Sequence, residues 1–534
     1  MTSGADRIAQ RLAAAGCRFA FGIPGGEVLT LVDALARAGI RFVTARHETA
    51  AGFMAEGTWH ATGAPGILVA TIGPGVSNAV NVIANAQQDR VPLVVLTGCI
   101  DDADAGWYTH QIFDHRAVLA PITKQSVRAR AGECGAAIDQ LVRTALEGVP
   151  GPVHLDVPIG LAAASEEGRA PACTTDRRGV SSIDELEPIM RALDDAQQPL
   201  LLVGLETITQ GAAAAVGGFA QARQLPTLTT YKAKGVVDES SSLALGAAGL
   251  SPRADAILLP LLKDADVVVL AGYDPIEMRK GWRSPFGASA KVFDVGTDRA
   301  PFAMAPATAR SSGDIALHFE ALTERAKKPT WIDGRIARTR AALTEAFAAE
   351  KDAFGPLAIV HALRRVVPQE AVVTVDTGAH RIVLSQAWTC SAQRTLLQSS
   401  GLCTMGCALP LAIGHALAEP GKPVLAVVGD GGLDMTMGEL LTARDLGVPI
   451  VVVVIDDASL ALIEMKQRAE RLPNVGVDSG RTDYAGIARA MGGHGVRVDT
   501  IEALESAARE GFSRASSFTL IHAPIERRAY DGRI

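Results

Sequence analysis

The stretch Val424-Leu-Ala-Val-Val-Gly-Asp-Gly-Gly432 passes without interruption from an apolar run into a glycine-rich turn. An apolar run that is continuous rather than alternating predicts a strand buried on both faces, as in a parallel sheet covered by helices. Glycines at the end of such a strand let backbone N–H groups point at an anion such as phosphate. Asp430 then stands where a hard cation could bind and neutralise that anion.

A second apolar run, Ile450–Ile455, ends at the acidic pair Asp456-Asp457. In open α/β sheets, ligands bind outside the carboxyl ends of the strands. Acidic groups at two such ends suit one Mg²⁺ ion together with a diphosphate. Alone, either element would more often be a turn or a solvated loop, but the two in this order favour a binding site.

Similar apolar runs recur between helix-like stretches along the chain, which predicts an α/β protein with doubly wound, mostly parallel sheets. Residues 162–183 and 326–355 carry no strand signal and are interpreted as connections, the second with a charged, Ala-rich helix. We therefore expect domains at 1–162, 184–325 and 356–534. The predicted strands are Ile67–Thr71, Val91–Thr97, Val153–Val157, Leu200–Gly204, Val267–Gly272, Val292–Val295, Val372–Asp376, Val424–Gly429, Ile450–Ile455 and Phe518–His522.

Composition excludes several classes of protein. The 534 residues are 48% apolar and 20% charged, which is typical of compact globular folding. A net charge of -7 without a basic run argues against nucleic-acid binding. The longest apolar run, Val448–Ile455, is far too short to cross a membrane, and the charged N-terminus is unlike a secretory signal. Seven scattered cysteines without a CxxC pair indicate reduced thiols, so we expect a cytoplasmic protein.

Five segments in this order resemble motifs of the thiamine diphosphate-dependent enzymes, and the chain as a whole is similar to the acetolactate synthase large-subunit family and its unassigned relatives. The resemblance covers essentially the whole chain and is more specific for the cofactor than for the substrate. The segments are Ala45-Arg-His-Glu-Thr-Ala-Ala-Gly-Phe-Met-Ala-Glu-Gly57, Thr71-Ile-Gly-Pro-Gly-Val-Ser-Asn78, Asp376-Thr-Gly-Ala-His380, Ser400-Gly-Leu-Cys-Thr-Met-Gly406 and Gly429-Asp-Gly431 with its following acidic pair.

The resemblance implies a role for each matching residue. Glu48 would protonate the aminopyrimidine ring of the cofactor, and Met405 would support its bent form. Gln111 occupies the position of an active-site glutamine, and His110 stands beside it. His110 and His115 could relay protons, or could simply belong to a polar loop. The implied metal ligands are Asp430, Asp457 and the Ser459 carbonyl; the implied cofactor contacts are Gly73, Gly378, His380, Cys403, Gly429, Gly431 and Gly432.

Five positions depart from the family pattern. Asp456-Asp457 replaces two asparagines, and we expect Asp457 to remain a ligand because Asp still offers oxygen. Cys403 stands where a glycine is usual. Lys466 stands where the synthases place an acceptor-selecting tryptophan; it could pair with an acidic acceptor or lie on the surface. Asp274 replaces a basic residue of the flavin-binding middle domain, so FAD is possible but not favoured.

The resemblance also implies an architecture and an activity. The first and third domains would be doubly wound thiamine diphosphate-binding folds, and the middle domain would be Rossmann-like. A homodimer or homotetramer would build each active site at a subunit interface. The expected reaction is decarboxylation of a 2-oxo acid, by default pyruvate, followed by carboligation to a second carbonyl. The alternatives are a decarboxylase that releases an aldehyde and a non-catalytic subunit; neither nucleic acid nor a membrane is expected as a partner.

Overall fold

The computed structural model describes residues 2–166, 183–276, 278–297, 304–323, 331–351 and 353–534, and these residues form three six-stranded sheets. All strand pairs within the sheets are parallel. The predicted α/β fold class is therefore confirmed. Most of the predicted connection at 162–183, and the start of the one at 326–355, lie outside the described residues.

The first sheet has the strand order β2-β1-β3-β4-β6-β5. Its strands are β1 (Phe19–Ile23), β2 (Arg41–Thr44), β3 (Gly66–Ala70), β4 (Leu93–Cys99), β5 (Gln125–Arg128) and β6 (Val153–Pro158). Its helices are α1 (Gly4–Ala14), α2 (Leu29–Arg37), α3 (Glu48–Thr62), α4 (Pro74–Asp89), α5 (His115–Leu119), α6 (Cys134–Leu146) and α7 (Ile159–Ala163).

The middle sheet has the order β12-β11-β10-β7-β8-β9, which is that of a Rossmann fold. Its strands are β7 (Pro199–Val203), β8 (Thr227–Thr230), β9 (Ala244–Ala248), β10 (Val267–Ala271), β11 (Lys291–Gly296) and β12 (Ala309–Ser312). Its helices are α8 (Ile183–Asp195), α9 (Leu205–Thr209), α10 (Ala213–Arg223), α11 (Pro252–Asp264) and α12 (Ile315–Thr323), and α13 (Arg335–Ala346) leads to the third sheet.

The third sheet has the order β14-β13-β15-β16-β18-β17. Its strands are β13 (Val372–Val375), β14 (Leu396–Gln398), β15 (Val424–Gly429), β16 (Ile450–Asp456), β17 (His494–Arg497) and β18 (Thr519–Pro524). Its helices are α14 (Pro356–Val366), α15 (Ala379–Ala387), α16 (Ala408–Ala418), α17 (Asp430–Thr436), α18 (Glu439–Leu446), α19 (Ala461–Ala469), α20 (Tyr484–Ala490) and α21 (Ile501–Ser513).

The first and third sheets share one topology, because their strands follow the same order along and across the sheet. In both, the chain reverses direction across the sheet between the first and third strands, which is the point where α/β sheets bind ligands. In the third sheet this point lies between β13 and β15, the two strands that precede Gly378 and Asp430. The fold therefore brings two of the predicted motifs to one crevice.

Helices α3 and α16 join the first and third sheets in one apolar core. Their backbones approach closely at two glycines: a Cβ on Gly57 would lie 2.4 Å from the Leu411 carbonyl oxygen, and one on Gly414 would lie 2.0 Å from the Met54 carbonyl oxygen. Any larger residue at either glycine would separate the helices. This contact fixes the position of α3, and with it Glu48, relative to the third sheet.

Candidate active site

A cleft opens at the carboxyl ends of β13, β15 and β16, where three segments singled out in the sequence meet. It is floored by the glycine-rich turn after β15 and bordered by the start of α19. The cleft is lined by Thr377, Gly378, Ala379, His380, Met405, Gly429, Asp430, Gly431, Gly432, Ile455, Asp457, Ser459, Leu460, Ala461, Leu462, Ile463 and Tyr530. All the proposed metal ligands and most of the proposed cofactor contacts are among these residues.

Asp430 and Asp457 are two buried carboxylates on one wall of this cleft. Burial, followed by the charges of Asp456 and Asp434, raises the pKa of Asp430 to about 6. Burial and the charge of Asp430 raise the pKa of Asp457 to about 7. The Asp457 Oδ2 atom is buried without a hydrogen-bond partner. Two adjacent carboxylates that are costly to ionise, one with an unpaired oxygen, suit a divalent cation.

Asp456, the first member of the acidic pair, faces away from the cleft. Its Oδ2 atom lies 2.9 Å from Nε2 of His522, and its Oδ1 atom accepts a hydrogen bond from the Ala458 N–H at 2.9 Å. Burial opposes ionisation, but these hydrogen bonds prevail and lower the pKa of Asp456. The pair is therefore divided between one structural acid and one that faces the cleft.

The glycines of the cleft make room for other groups of the site. A Cβ on Gly378 would lie 2.6 Å from Cε1 of His380, and a Cβ on Gly429 would lie 2.9 Å from the same atom. The His380 Nε2 atom is buried without a hydrogen-bond partner, and burial followed by the charge of Arg381 lowers the pKa of this histidine to about 3. His380 is therefore neutral at physiological pH, with one ring nitrogen left for a ligand.

Asp376, at the end of β13, is an acid that the sequence did not assign to the site. It accepts hydrogen bonds from the N–H groups of Gly406 and Cys407, at 2.8 and 3.3 Å to Oδ1. A Cβ on Gly432 would lie 2.2 Å from its Oδ2 atom. Asp376 therefore contacts both the residues after Met405 and the glycine-rich turn after β15.

Met405 is a half-buried residue of the cleft, and its Cε lies 3.4 Å from where a Cβ on Gly431 would stand. Cys403 does not line the cleft in the described part of the chain. Its φ of 54° lies in the left-handed region, which explains why a glycine would suit this position. The Cys403 thiol donates to the Ser400 carbonyl at 3.0 Å.

Glu48 lies in a second group of residues, built on the first sheet. Its side chain is 4% exposed, and its Oε2 atom accepts a hydrogen bond from Nδ2 of Asn78 at 3.0 Å. The turn before Glu48 is held from the third sheet: Oε1 of Glu439 accepts from the N–H groups of Arg46 and His47 at 2.8 and 3.2 Å. Glu439, at the start of α18, is a positioning residue that no local motif revealed.

Gly73, Gln111 and His110 lie together near the start of α4. A Cβ on Gly73 would stand 2.6 Å from the Gln111 carbonyl oxygen, so the two backbones are in contact. Both residues have φ values in the left-handed region, 69° for Gly73 and 60° for Gln111. The side chains of His110 and Gln111 are exposed. They are therefore open to a ligand or to another chain.

His115 is buried and belongs to a polar network, rather than to a solvent-exposed loop. Its Nε2 atom accepts a hydrogen bond from the Gly73 N–H at 3.3 Å, and its Nδ1 atom lies 3.0 Å from Oδ1 of Asp156. Thr97 donates to the same Asp156 oxygen at 2.7 Å. His115 thus fixes the glycine loop beside Glu48.

The predicted site residues fall into two separate groups within one chain. The described residues that line the third-sheet cleft all lie between 377 and 530. Glu48, Gly73, His110 and Gln111, all on the first sheet, are absent from that lining. We call the two groups the Glu48 half-site and the cleft.

The C-terminal tail contributes Tyr530 to the cleft, which the sequence had not indicated. The tail is held by Glu464, which accepts hydrogen bonds from Nε of Arg527 at 3.1 Å and from Nε of Arg528 at 2.8 Å. Burial would raise the pKa of Glu464, but the bonds from Arg528, Ser459 and Arg527 lower it to about 2. No local pattern in the sequence marks this contact of the tail with the cleft.

Lys466 lies on the same helix as Glu464 but is exposed and does not line the cleft in the described residues. Its surface position agrees with the second of the two interpretations of this residue. The wall of the cleft at the start of α19 is instead formed by Leu460, Ala461 and Ile463. Within the described part of the chain, the Lys466 side chain therefore does not reach this wall.

The crevice of the middle sheet is closed by its own loops. The Gly204 N–H donates to the Ala271 carbonyl at 2.9 Å, and the Glu206 N–H donates to the Gly272 carbonyl at 3.0 Å. A Cβ on Gly204 would lie 2.4 Å from the Gly272 oxygen. The N–H groups that would bind a dinucleotide phosphate at this point therefore already have protein partners.

Asp274, at the same end of the middle sheet, is paired with a cation of the first domain. Nε of Arg90 donates to its Oδ2 atom at 2.9 Å, and the Asp274 side chain is buried. The expected repulsion between Asp274 and an anionic flavin is therefore offset by Arg90. Closure of the crevice, rather than this charge, is the geometric feature that opposes a flavin.

Three family models match the chain in the order of its three sheets. The N-terminal TPP binding domain of thiamine pyrophosphate enzymes matches residues 2–118, their central domain matches 186–322, and their C-terminal TPP binding domain matches 376–523. The chain belongs to the thiamine pyrophosphate enzyme family. The resemblance noted in the sequence is thereby confirmed, and the two half-sites lie on the two TPP binding domains.

Relatives in this family are similar along most of the chain. An acetolactate synthase of Bacillus subtilis is 31% identical over 533 residues, covering 98% of this chain and 93% of the relative. The acetolactate synthase isozyme 1 large subunit of Escherichia coli is 30% identical over 473 residues, covering 87% and 83%. A probable 2-ketoarginine decarboxylase of Pseudomonas aeruginosa is 31% identical over 542 residues, covering 98% and 93%.

The chain is therefore a thiamine pyrophosphate enzyme of acetolactate synthase-like type. Its relatives include both acetolactate synthases and a decarboxylase, so the comparisons identify the family but not the substrate. Among the described residues, no helix has the length and apolar character needed to cross a membrane.

Proposed function

We propose that the chain is a carboligase that uses thiamine diphosphate and Mg²⁺ to decarboxylate a 2-oxo acid, by default pyruvate. The acyl unit would then pass to a second carbonyl compound, as in acetolactate synthesis. The observation that carries this proposal is the presence of both half-sites with their chemistry intact: a buried, oriented Glu48 and a cleft with paired carboxylates.

The cleft fits the diphosphate end of the cofactor and its cation. Asp430, Asp457 and the Ser459 carbonyl would hold Mg²⁺, and the unpaired Oδ2 of Asp457 is the strongest support for a cation there. The backbone of Gly431 and Gly432 would hold the diphosphate at the start of α17. The described residues contain no cluster of three His, Cys, Asp or Glu side chains arranged for a metal.

When bound, the cofactor supplies an electron sink for the loss of CO₂ from a 2-oxo acid. Glu48 would hold a proton shared with a ring nitrogen, because Asn78 fixes its Oε2 atom and leaves Oε1 facing Gly75. Met405 would fill the space beneath the bound group, and Tyr530 would help to exclude water. Gln111 and His110 would contact the substrate.

We infer that the active enzyme is a homodimer or homotetramer with two chains at each site. The support is the separation of the Glu48 half-site from the cleft within one chain. The exposed loop that carries His110 and Gln111 also presents Trp107 and Tyr108, which are 83% and 59% exposed. Large exposed aromatic side chains are typical of surfaces that another chain covers.

A simple decarboxylase that releases an aldehyde is the second candidate function. It is favoured by the similarity to the probable 2-ketoarginine decarboxylase, which equals that to the Bacillus acetolactate synthase in identity and coverage. The apolar wall of Leu460, Ala461 and Ile463 suits a nonpolar part of either kind of substrate. The product, rather than the site, separates these two functions.

The deciding experiment incubates the purified protein with thiamine diphosphate, Mg²⁺ and a panel of 2-oxo acids, and measures CO₂ and product mass. A hydroxy-keto acid from pyruvate would support the carboligase, and an aldehyde alone would support the decarboxylase. Glu48→Gln should reduce turnover by at least about 100-fold, because it removes the proton-sharing carboxyl group. Glu147→Gln, which makes the same change on an exposed side chain directly after α6, is the matched control and should retain activity. Bound cofactor without CO₂ from any acid would contradict both functions.

We further propose that the middle domain binds no flavin, since the N–H groups at its crevice are already bonded to the Ala271 and Gly272 carbonyls. The protein incubated with FAD and passed through a desalting column should carry no flavin absorption. A stoichiometric flavin that survives this step would contradict the proposal.

A further inference from the structure

One face of α4 carries four polar side chains, Asn78, Asn81, Asn85 and Asp89. Spacings of three and four residues place side chains on the same side of a helix. The first of the four, Asn78, holds Glu48. We call the remaining three, Asn81, Asn85 and Asp89, the α4 ladder.

The α4 ladder binds residues 399–404 of the third-sheet domain. The Asn81 Oδ1 atom accepts a hydrogen bond from the Thr404 hydroxyl at 3.0 Å. The Asn85 Oδ1 atom accepts one from the Ser399 hydroxyl at 2.6 Å, in a fully buried contact. The Ser399 oxygen in turn accepts from the Thr404 N–H at 2.9 Å. Two rungs of the ladder are therefore joined through the segment they hold.

Asp89 forms the last rung, where all three domains meet. Its carboxylate is buried and accepts hydrogen bonds from the N–H groups of Ser400, at 3.1 Å, and Gly401, at 2.5 Å. Nζ of Lys232, from the middle domain, lies 2.9 Å from its Oδ2 atom. A buried carboxylate is tolerated only when donors and an opposite charge surround it, so this rung is strongly specified.

The segment held by the ladder leads directly into Met405, which lines the cleft. Beyond Met405, the N–H groups of Gly406 and Cys407 donate to Asp376. Met405 is therefore fixed from both sides, by α4 before it and by Asp376 after it. We propose that the α4 ladder positions Met405, and that Asn81, Asn85 and Asp89 are positioning residues for cofactor binding in the cleft.

The single helix α4 thus contacts both the Glu48 half-site and the segment that leads into the cleft. Asn78 orients Glu48 at one end of α4, and Asp89 anchors the Met405 segment at the other. The part of this inference that concerns the cofactor rests on the proposed function. The part that concerns how firmly residues 399–405 are held in place rests on the contacts alone.

Cys403 lies within residues 399–404, so the accessibility of its thiol shows whether this segment stays in place. Its thiol is half-buried, whereas the other described cysteines are buried. The test compares the full-length wild type with Asn85→Ala and Asp89→Asn. It measures the rate of maleimide labelling at Cys403 by peptide mass spectrometry, and the affinity for thiamine diphosphate with Mg²⁺ by calorimetry. In both variants we expect Cys403 to be labelled about tenfold faster and thiamine diphosphate to bind about tenfold more weakly. Each variant weakens a buried contact that holds residues 399–404 against α4.

Gln88→Ala is the matched control, because Gln88 neighbours Asp89 on α4 but is exposed and makes no hydrogen bond among the described contacts. Both measurements should stay at the wild-type value in this variant. If Asp89→Asn does not fold, Thr404→Val removes the Asn81 rung from the opposite side and should give the same pair of changes.

Two outcomes would overturn the inference: unchanged labelling and affinity in folded Asn85→Ala, or equal changes in Gln88→Ala. Failure of the proposed function is distinguishable from failure of this inference. A protein without turnover would still show faster Cys403 labelling if the ladder holds the segment. A fully active wild type, together with unchanged Cys403 labelling in the ladder variants, would refute this inference but leave the proposed function intact.

Discussion

Asp456 and Asp457 show how neighbouring residues of one type take different tasks. Asp456 is held by His522 and the Ala458 N–H, away from the cleft. Asp457 faces the cleft with Asp430, and one of its oxygens has no partner. Of the two acids that replace the asparagines, only Asp457 therefore places its carboxylate in the cleft, where a divalent cation would balance its charge.

The role of Asp457 predicts opposite effects of Asp457→Asn with and without ligands. Without Mg²⁺ and cofactor, the variant should unfold at a higher temperature than the wild type, because repulsion from Asp430 is lost. With both present, their affinity should fall at least about tenfold, because a metal ligand is lost. Thermal unfolding with and without Mg²⁺ and thiamine diphosphate measures both effects.

Asp434→Asn is the matched control, since Asp434 lies on α17 near Asp430 but is bonded to the Tyr484 hydroxyl and does not line the cleft in the described residues. It should leave ligand affinity unchanged. Equal ligand affinity in Asp457→Asn and the wild type would refute the assignment of Asp457 as a ligand.

His154 predicts a pH dependence of stability. It is buried between the Thr97 and Ser126 hydroxyls, with Asp156, His115 and Arg116 nearby. Burial is the main cause that lowers its pKa from 6.5 to about 4. Between these values the unfolded chain binds a proton that the folded chain does not, so the stability of the wild type falls as the pH falls.

His154→Gln removes this titration without removing hydrogen-bonding groups. The stability of the wild type relative to the variant should therefore decrease by about 1.4 kcal/mol per pH unit from about pH 6.5 downwards. Urea unfolding of both proteins at about pH 7, 6 and 5 measures the difference, in which all other titrating groups cancel. A difference that stays constant over this window would show that His154 is already charged or accessible in the folded state.

At the scale of elements, the contact between α3 and α16 depends on glycine. A Cβ on Gly414 would lie 2.0 Å from the Met54 carbonyl oxygen, and a backbone atom cannot move aside as a side chain can. The same contact carries Glu48 at the start of α3. Close packing of these helices is therefore needed for both stability and the Glu48 half-site.

Gly414→Ala should destabilise the protein by about 2–3 kcal/mol, the usual effect of overpacking in a core. Gly218→Ala is the matched helical substitution: Gly218 lies exposed in α10 with no atom within 4 Å of the new Cβ. That change should stabilise by about 0.5–1 kcal/mol through helix propensity. Thermal unfolding of both variants checks the two signs, and a stable Gly414→Ala protein would mean that the helices can separate without cost.

The strands that the sequence missed are mostly at the edges of the sheets. All ten predicted strands are present, with ends that shift by up to two residues. Of the eight that were not predicted, six are edge strands. These edge strands have one unpaired side, and each is short and contains polar or glycine residues, so they lack the continuous apolar run that marks a central strand. They are β2, β5, β9, β12, β14 and β17.

At the scale of the whole molecule, the separation of the Glu48 half-site from the cleft predicts complementation between defective chains. A heterodimer of Glu48→Gln and Asp430→Asn chains would contain one site with both defects and one with neither. Purified by two different tags, it should show about half the activity of the wild-type dimer, although each variant alone is inactive.

Homodimers of each variant, carried through the same exchange and purification, are the control for this experiment. An inactive heterodimer would mean that each site is built from one chain, contrary to the proposed assembly. Sedimentation of the wild type at assay concentration should show a dimer or tetramer.

The local features of this protein could be predicted from its amino-acid order. Continuous apolar runs marked the central strands, because a strand buried on both faces must be apolar throughout. The turn at Gly429–Gly432 and the segment around Glu48 were also local patterns, so their residues could be named in advance. Their exact roles remain predictions that the experiments above test.

Which of these residues meet depends on how the three sheets and their helices pack. It turned Asp456 away from the cleft, paired Asp274 with Arg90, brought Tyr530 over the cleft and laid α4 against residues 399–404. These contacts join residues far apart in the chain, and their geometry depends on how helices and sheets pack. A side chain's direction and partners are set by that packing, and neither leaves a local pattern in the sequence.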